Sequence, residues 1–559
     1  MSDAEESGVS EPPAPSQAQP PSEPPTSKPS SSKPSSKTEA QSAGRGVLFI
    51  AAAKLYFMVI GAVIEFRLPA IVSNVTFGAY GVVSSLVSPI NNVLIVGTIQ
   101  AVSRFTAQDP EKARAVQRAG LRMHLMVGLP IAVAFAATAP LFATFFHDDR
   151  KTGPLMMASA ILAGYSFYAV FVGRANGTRA FHKQAGLDMS FATMRAAGIL
   201  GLAGAGFGLY GIISGWILAV IGIVLISSFA IGLPGRRKDA EPVQPMRPLL
   251  AFFGSVALYL VLMNFIMVID QLLLKRMATE WFQAHAEETK GFVSETLPLW
   301  MAQAAGPLDP SDAADAQVGY YRAVQNLARL SYQAIIAATF VIFPLVSRST
   351  FVSDKDATRR YVRTTLRYSA IFAAAIGVVF AANPQALLDI PYAADYAFAG
   401  APALALLALG NVAFAIFVIA GTILNGSGDT RRALISVALT LLVAAVANAI
   451  VIPRFEPGRE LLTACAAATS GAMLFGAALS MWLLKRSTGA SLPLATACRV
   501  LISGAGAIAM GRFWPTGGAL GTMLESCVIG LVFLVLLLVT REFGRKDLAA
   551  VLAVAKRGS

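Results

Sequence analysis

Charge is scarce in this chain of 559 residues. Asp, Glu, Lys and Arg together make up 14%, against 55% hydrophobic residues, and the mean hydropathy is +0.60. Soluble domains are typically about 25% charged, so a water-soluble globule is excluded and a polytopic membrane protein remains. Cysteine is almost missing: Cys465, Cys498 and Cys527 lie in apolar stretches at spacings that match no metal motif, and they read as small core residues. The four histidines, His124, His147, His182 and His285, are scattered and suggest no metal site. There is no P-loop, no nucleophile elbow and no metal-spaced His/Cys cluster, so no enzyme site is legible. The net charge is +13, but no basic patch interleaves with aromatics, which argues against a nucleic-acid partner. Lys and Arg gather instead in cytoplasmic loops of membrane proteins.

Long apolar stretches are what the chain does have. Residues 1–45 are rich in Pro, Ser, Glu and Lys without an apolar run, which predicts a disordered cytoplasmic tail. Beyond it, fourteen stretches approach the roughly 20 residues needed to cross a bilayer. They fall near 47–68, 78–102, 122–146, 154–173, 186–207, 210–232, 248–274, 318–345, 365–385, 398–423, 432–453, 461–484, 493–512 and 519–540. Only Gly208 and Leu209 separate the fifth from the sixth. With the N-terminus inside, the cytoplasmic segments hold 27 Lys and Arg and the exterior loops 9. That asymmetry predicts both termini in the cytoplasm. The longest exterior loop, 275–317, is acidic, with room for a short amphipathic helix around Trp281 to Trp300, or is simply a tolerated surface insertion.

The second half of the series repeats the first. FGAYGVVSSL at 77–86 parallels VGYYRAVQNL at 318–327, and GYSFYAVFV at 164–172 parallels GNVAFAIFV at 410–418. Val-Ile-Glu ending at Glu65 parallels Val-Ile-Asp ending at Asp270. Two like-oriented halves make a symmetric central interface, where transporters hold their substrate. The reading is therefore an all-α membrane protein. An N-lobe covers 46–247 (spans 1–6) and a C-lobe 248–486 (spans 7–12, with the 275–317 insertion). The two lobes are related by a pseudo-two-fold axis. Residues 487–559 add spans 13–14 and a cytoplasmic tail.

An ionised group near the bilayer centre costs about 2.5–3.5 kcal/mol even on a lenient scale, so intramembrane charges point to a wet cavity or a partner. Lys54, Arg195, Arg322, Arg329 and Arg499 are such charges. Arg322, Gln325, Asn326, Arg329 and Gln333 follow i, i+3, i+4, i+7, i+11 spacing and share one helical face. Two guanidinium forks on a cavity wall suit phosphate or carboxylate. Snorkelling is the alternative for Arg322 and is favoured for Arg499. A carboxylate in low dielectric favours its neutral or cation-bound form, which makes Asp270, and by symmetry Glu65, candidates for coupling to H⁺ or Na⁺. The alternative for each is a plain ion pair, with Arg67 and Lys275 near in sequence.

Phe77-Gly78-Ala79-Tyr80-Gly81, Val318-Gly319-Tyr320-Tyr321 and Leu424-Asn425-Gly426-Ser427-Gly428-Asp429-Thr430 together resemble the multidrug/oligosaccharidyl-lipid/polysaccharide exporter superfamily. Within it the chain most resembles Wzx-type polysaccharide flippases, with lipid II flippases close behind. The resemblance spans about 46–540. It implies two six-helix lobes around a V-shaped cavity, alternating access, and no cofactor beyond a coupling ion. It also implies a substrate made of a polyprenyl chain, a diphosphate and a sugar head, carried across the bacterial inner membrane among membrane lipids, with a polysaccharide polymerase and glycosyltransferases as pathway partners. Lys54, Arg195, Arg322, Asn326 and Arg329 are the expected substrate contacts, and Asp270 maps to the cation-coupling acid of relatives. The rival classes are a multidrug exporter, which usually has twelve spans and a less basic cavity, and a membrane glycosyltransferase or polymerase.

Overall fold

The computed structural model describes residues 36–235, 245–285, 309–332, 355–514 and 517–543. Gly46–Ser559 forms one compact unit; the other, Met1–Arg45, is described only from residue 36, where α1 begins. Seventeen α-helices and no strand occur among the described residues. They are α1 (Ser36–Arg67), α2 (Asn74–Gln108), α3 (Ala113–Met123), α4 (Leu129–Phe145), α5 (Thr152–Gly177), α6 (Phe181–Leu202), α7 (Gly208–Ala230), α8 (Met246–Ile266) and α9 (Ile269–Ala284). These are followed by α10 (Pro310–Ala328), α11 (Lys355–Ala382), α12 (Pro384–Asp389), α13 (Ala394–Gly426), α14 (Thr430–Val451), α15 (Arg459–Thr488), α16 (Leu494–Arg512) and α17 (Gly518–Val539). Eleven helical segments among the described residues are long and apolar enough to cross a membrane. One of them, Phe181–Ala230, holds both α6 and α7.

Local sequence sets these elements. Ser73 caps α2 by accepting from the Thr76 amide at 3.2 Å, and Asp309 caps α10 with Pro310 in its first turn, both standard helix starts. Gly206 (φ 89°) and Gly208 (φ 53°) turn the chain between α6 and α7, a conformation open to glycine without Cβ strain. The two helices then pack so closely that a Cβ on Gly198 would lie 2.4 Å from the Gly215 carbonyl.

The structure differs from the sequence expectation at several boundaries. Helix α1 already runs from Ser36, so the last ten residues of the expected disordered tail are helical; residues 1–35 lie outside the described residues. The expected continuous span 248–274 is two helices, broken at Met267–Val268. The expected loop 275–317 is helical at both ends, within α9 and α10, and Trp281 falls in α9. Its middle, 286–308 with Trp300, lies outside the described residues, as do Gln333, the rest of the eighth span to 345, and the tail beyond 543. Cys465 is buried as expected, but Cys498 and Cys527 are exposed on α16 and α17.

The apolar core runs through both halves of the repeat, joining α2, α5 and α7 to α10 and α13. Helices α2 and α10, the repeat-related pair, cross backbone to backbone. A Cβ on Gly78 would fall 1.7 Å from the Asp315 carbonyl oxygen, and one on Gly319 would fall 2.6 Å from the Asn74 carbonyl oxygen. Helices α16 and α17 pack on α11. Beside them, buried Glu542 accepts from Arg367 Nε at 2.7 Å, Thr496 at 2.8 Å and Arg499 at 3.1 Å, so Arg499 is an ion-pair partner.

Candidate functional site

Two carboxylates and the side chains converging on them define the interior. Glu65, near the end of α1, meets α10 directly. Arg322 donates from Nη2 to Oε1 at 2.7 Å and from Nε to Oε2 at 3.0 Å, and Asn326 adds a third donor at 2.9 Å. The same guanidinium donates to Ser84 at 2.7 Å and lies over the Tyr80 ring at 4.6 Å. A planar fork on a carboxylate gives paired, charge-assisted bonds. The near-in-sequence partner Arg67 is therefore not the one Glu65 takes.

Asp270, in the first turn of α9, is 1% exposed and forms no salt bridge among the described residues, its nearest cation being Arg329, which reaches it through Gln325. Its carboxyl accepts from the Tyr321 hydroxyl (2.8 Å), Gln325 Nε2 (3.0 Å to each oxygen), Thr469 Oγ1 (3.1 Å) and the Gln271 amide (2.8 Å). Asn448 extends this shell by donating to Thr469 at 3.1 Å and accepting from Cys465 at 3.3 Å. The alternative of an Asp270–Lys275 pair is overturned. Lys275 points to the other side of α9, where it meets Asp315 at 2.9 Å and the Ser311 hydroxyl at 2.7 Å.

Lys275 belongs to a second assembly, at the end where α2, α10 and α13 begin. Lys151 bridges Asp315 (2.6 Å) and Asp148, and Ser311 donates to Asp148 at 2.6 Å. Arg150 forks onto Asp312 (2.9 and 3.2 Å). Burial alone would push the Asp148 carboxyl up, but Lys151, Ser311 and Lys275 hold it well below the usual carboxylate range. Burial pushes the Lys275 ammonium down to about 8, the pull of Asp315 being opposed by the like charge of Lys151. Between this assembly and Glu65 lies an aromatic layer: Tyr320 against Tyr396 (centroids 4.9 Å), Tyr396 on Tyr392 (5.5 Å), and Tyr392 edge-on to Phe66 (5.7 Å).

Beyond Glu65 a cavity of about 190 Å³ opens, lined from α1, α2, α5, α6, α7 and α10. Of the sequence candidates it brings together Glu65, Arg195 and Arg322. Arg195 spreads its guanidinium over Trp216 (5.2 Å) and Phe57 (5.8 Å), a cation–π sandwich. Asn326 stands behind Glu65. Lys54 is not on the lining; it pairs with Asp188 at 3.3 Å, which also accepts from Tyr168 at 3.0 Å. Nor is Arg329: it donates to the Met267 carbonyl and to Gln325 Oε1 (3.1 Å). Met267 ends α8 at the break, so Arg329 satisfies a carbonyl that the broken helix leaves open. The shared face of α10 thus divides, Arg322 and Asn326 toward Glu65, Gln325 toward Asp270.

Sequence reasoning missed Ser84, Ser88, Asn91 and Asn92, which line the cavity from α2. Their i, i+4, i+7, i+8 spacing was the available signal. It also missed Asn448 and Thr469 around Asp270, whose short side chains give no pattern of their own, and it quoted Tyr321 only within a glycine motif without linking it to Asp270.

Residues 68–281 match the family model described as polysaccharide biosynthesis protein. With eleven helical segments long and apolar enough to cross a membrane among the described residues, the chain is a multi-pass membrane protein. Among solved structures, a lipid II flippase MurJ in an inward closed conformation superposes with a TM-score of 0.66 at 12% identity, covering 89% of this chain and 99% of that one. An inward-facing multidrug resistance MATE family transporter gives 0.54 at 15%, covering 77% and 96%. An outward-facing one gives 0.54 at 15%, covering 80% and 97%. At these identities the likeness is one of fold. No curated protein matches the sequence.

Proposed function

We propose that this protein is a flippase for polysaccharide biosynthesis, moving a polyprenyl-diphosphate-linked oligosaccharide across the bacterial inner membrane by ion-coupled alternating access. The observation that carries the reading is the cavity: Arg195 faces it without a salt bridge, and Arg322 faces it with its charge held by Glu65. An apolar drug cannot repay the burial of such cations, whereas a diphosphate can. Arg195 makes the first contact, and Arg322 and Asn326 follow when Glu65 gives way. Lys54 and Arg329, held by Asp188 and Met267, brace the walls in this state. The two halves act as lobes, spans 1–6 and 7–12, meeting at the α2–α10 crossing. Both termini are cytoplasmic, and the α2 end, with its aromatic layer and buried charges, is the closed exterior side.

Asp270 is the coupling group. Its direct hydrogen-bond partners are neutral hydroxyl, amide and backbone groups, with the Arg329 guanidinium one step behind Gln325, so it can take up H⁺ or Na⁺ without first breaking a direct ion pair. The test is reconstitution of purified protein in vesicles with a fluorescent short-chain isoprenyl-diphosphate oligosaccharide, following its movement between leaflets. Arg195→Ala is expected to reduce movement about tenfold or more, in line with the loss of a charge-assisted contact. Unchanged movement in that variant would remove Arg195 from the path. The superposition with a lipid II flippase favours one second reading, lipid II as cargo; faster movement of lipid II than of the oligosaccharide lipid in the same vesicles would select it.

A further inference from the structure

One wall of the cavity carries polar atoms that complete no hydrogen bond among the described residues. Asn91 and Trp216 are 6% and 5% exposed. Asn91 Oδ1, Trp216 Nε1 and Arg195 Nε are all buried without a hydrogen bond, and all three residues line the same space. The Tyr165 hydroxyl faces both Arg195 and Trp216 but completes no hydrogen bond of normal geometry with either. Buried polar groups are nearly always satisfied, so each exception calls for a reason. Here two N–H donors and one carbonyl acceptor converge on a space lined by aromatic rings on one side and by Ser88 and Asn91 on the other.

The chemistry of the missing occupant follows. A lipid tail would leave all three atoms without a hydrogen bond, which is unfavourable at each. A bare phosphate would satisfy Arg195 and Trp216 but set its negative charge against the Asn91 carbonyl oxygen. A sugar hydroxyl both donates and accepts, so it satisfies Asn91 and Trp216 together, and the C–H face of a pyranose packs on aromatic rings. The volume, about 190 Å³, is below the range of drug-sized pockets and suits one ring. We propose that this wall is a monosaccharide subsite, holding the pyranose ring with Asn91 and Trp216 and an anionic group attached to that ring with Arg195. The inference rests on the flippase reading, in which the anion is the phosphate joined to the first sugar; a uronate carboxylate is the other source of the same chemistry.

The test uses the full chain in lipid nanodiscs and calorimetric binding of three probes: a short-chain isoprenyl-diphosphate N-acetylglucosamine, the same isoprenyl diphosphate without sugar, and methyl glucuronide. The sugar-bearing diphosphate is expected to bind at least tenfold more tightly than its sugarless counterpart. Asn91→Leu and Trp216→Phe should cut that advantage to threefold or less while leaving the sugarless probe unchanged. Arg195→Gln should weaken both diphosphates. Asn91→Ser, which keeps an acceptor, should restore part of the advantage and so separates contact from folding. Equal binding of the two diphosphates, or equal loss of both in the Asn91 and Trp216 variants, overturns the subsite and leaves the flippase reading standing. Binding of methyl glucuronide alone, lost in Asn91→Leu, keeps the subsite and overturns the lipid-diphosphate cargo. No binding of any probe overturns both.

Discussion

Glu65 and Asp270 occupy matching points of the internal repeat, and their surroundings are opposite. Glu65 is locked: Arg322 forks onto it and Asn326 adds a third bond. Asp270, more deeply buried, is held directly by a tyrosine, a glutamine, a threonine and one backbone amide, all neutral. The residues facing the two acids on α10 set them apart. Arg322 faces the first and Tyr321 and Gln325 face the second, all within four positions of one helix. A carboxylate with a bidentate arginine keeps its charge and acts as a tie between halves. One ringed by neutral donors can gain or lose a cation without stranding a buried countercharge, and this is what a coupling site needs.

The contrast can be broken most directly at Glu65. Glu65→Gln leaves the Arg322 guanidinium buried without a countercharge, and breaking a buried pair costs about 3–5 kcal/mol. A large drop in the thermal midpoint is expected, with recovery in Glu65→Gln/Arg322→Gln. A midpoint unchanged by the single substitution would show that the tie carries little. At Asp270 the outcome is reversed. Asp270→Asn keeps an acceptor for Tyr321 and Thr469, so stability should stay within about 1 kcal/mol. Transport driven by an ion gradient should fall about 100-fold, the upper range of coupling between sites. A variant that still transports with the same gradient dependence would reduce Asp270 to a structural acid.

Tyr321→Phe and Thr469→Val sharpen the comparison at smaller scale. Each removes one donor, worth about 1.5–3 kcal/mol to a charged acceptor, and should shift the cation dependence of transport by about tenfold while sparing the thermal midpoint of a cation-saturated sample. A shift in midpoint alone would assign them to packing. The smallest effect is expected at the end assembly. Lys275 faces Asp148, Lys151 and Asp315. Its ammonium is held down to about 8 in the closed arrangement, against about 10.4 when hydrated. Between those values the closed form binds fewer protons, so raising pH from about 8 to about 10 should favour closure. Labelling of a cysteine placed at Tyr396 from that side should slow over the interval, and Lys275→Met should remove the dependence. A rate that rises with pH in the parent protein, after correction for the thiol itself, would reverse the assignment.

Much of this was legible in the sequence because burial and repetition leave marks along the chain. Apolar length pointed to a many-span helical protein, of which eleven candidate spans stand among the described residues, and the offset matches named Glu65, Asp270 and the α2–α10 pair. Who pairs with whom was not legible. Glu65 and Arg322 are 257 residues apart, and sequence proximity favoured Arg67 and Lys275 instead. The break at Met267–Val268 was hidden because the residues on both sides are apolar, and its stabilising partner, Arg329, comes from a distant helix. The ladder Ser84, Ser88, Asn91 and Asn92 was visible at helical spacing but lay within a run apolar enough to be taken whole as a span.

The glycine crossing of α2 and α10 has a mechanical meaning. Where side chains interlock, two helices that change their angle must unpack and repack, and close-packed interiors resist that. At Gly78 and Gly319 nothing interlocks: one backbone rests on the other. Such a contact behaves like a bearing. In the proposed alternating-access cycle it would hold α2 and α10 at a fixed separation while leaving their tilt free, so that the load of switching would fall on the features at either side, the buried charges at one end and the cavity at the other.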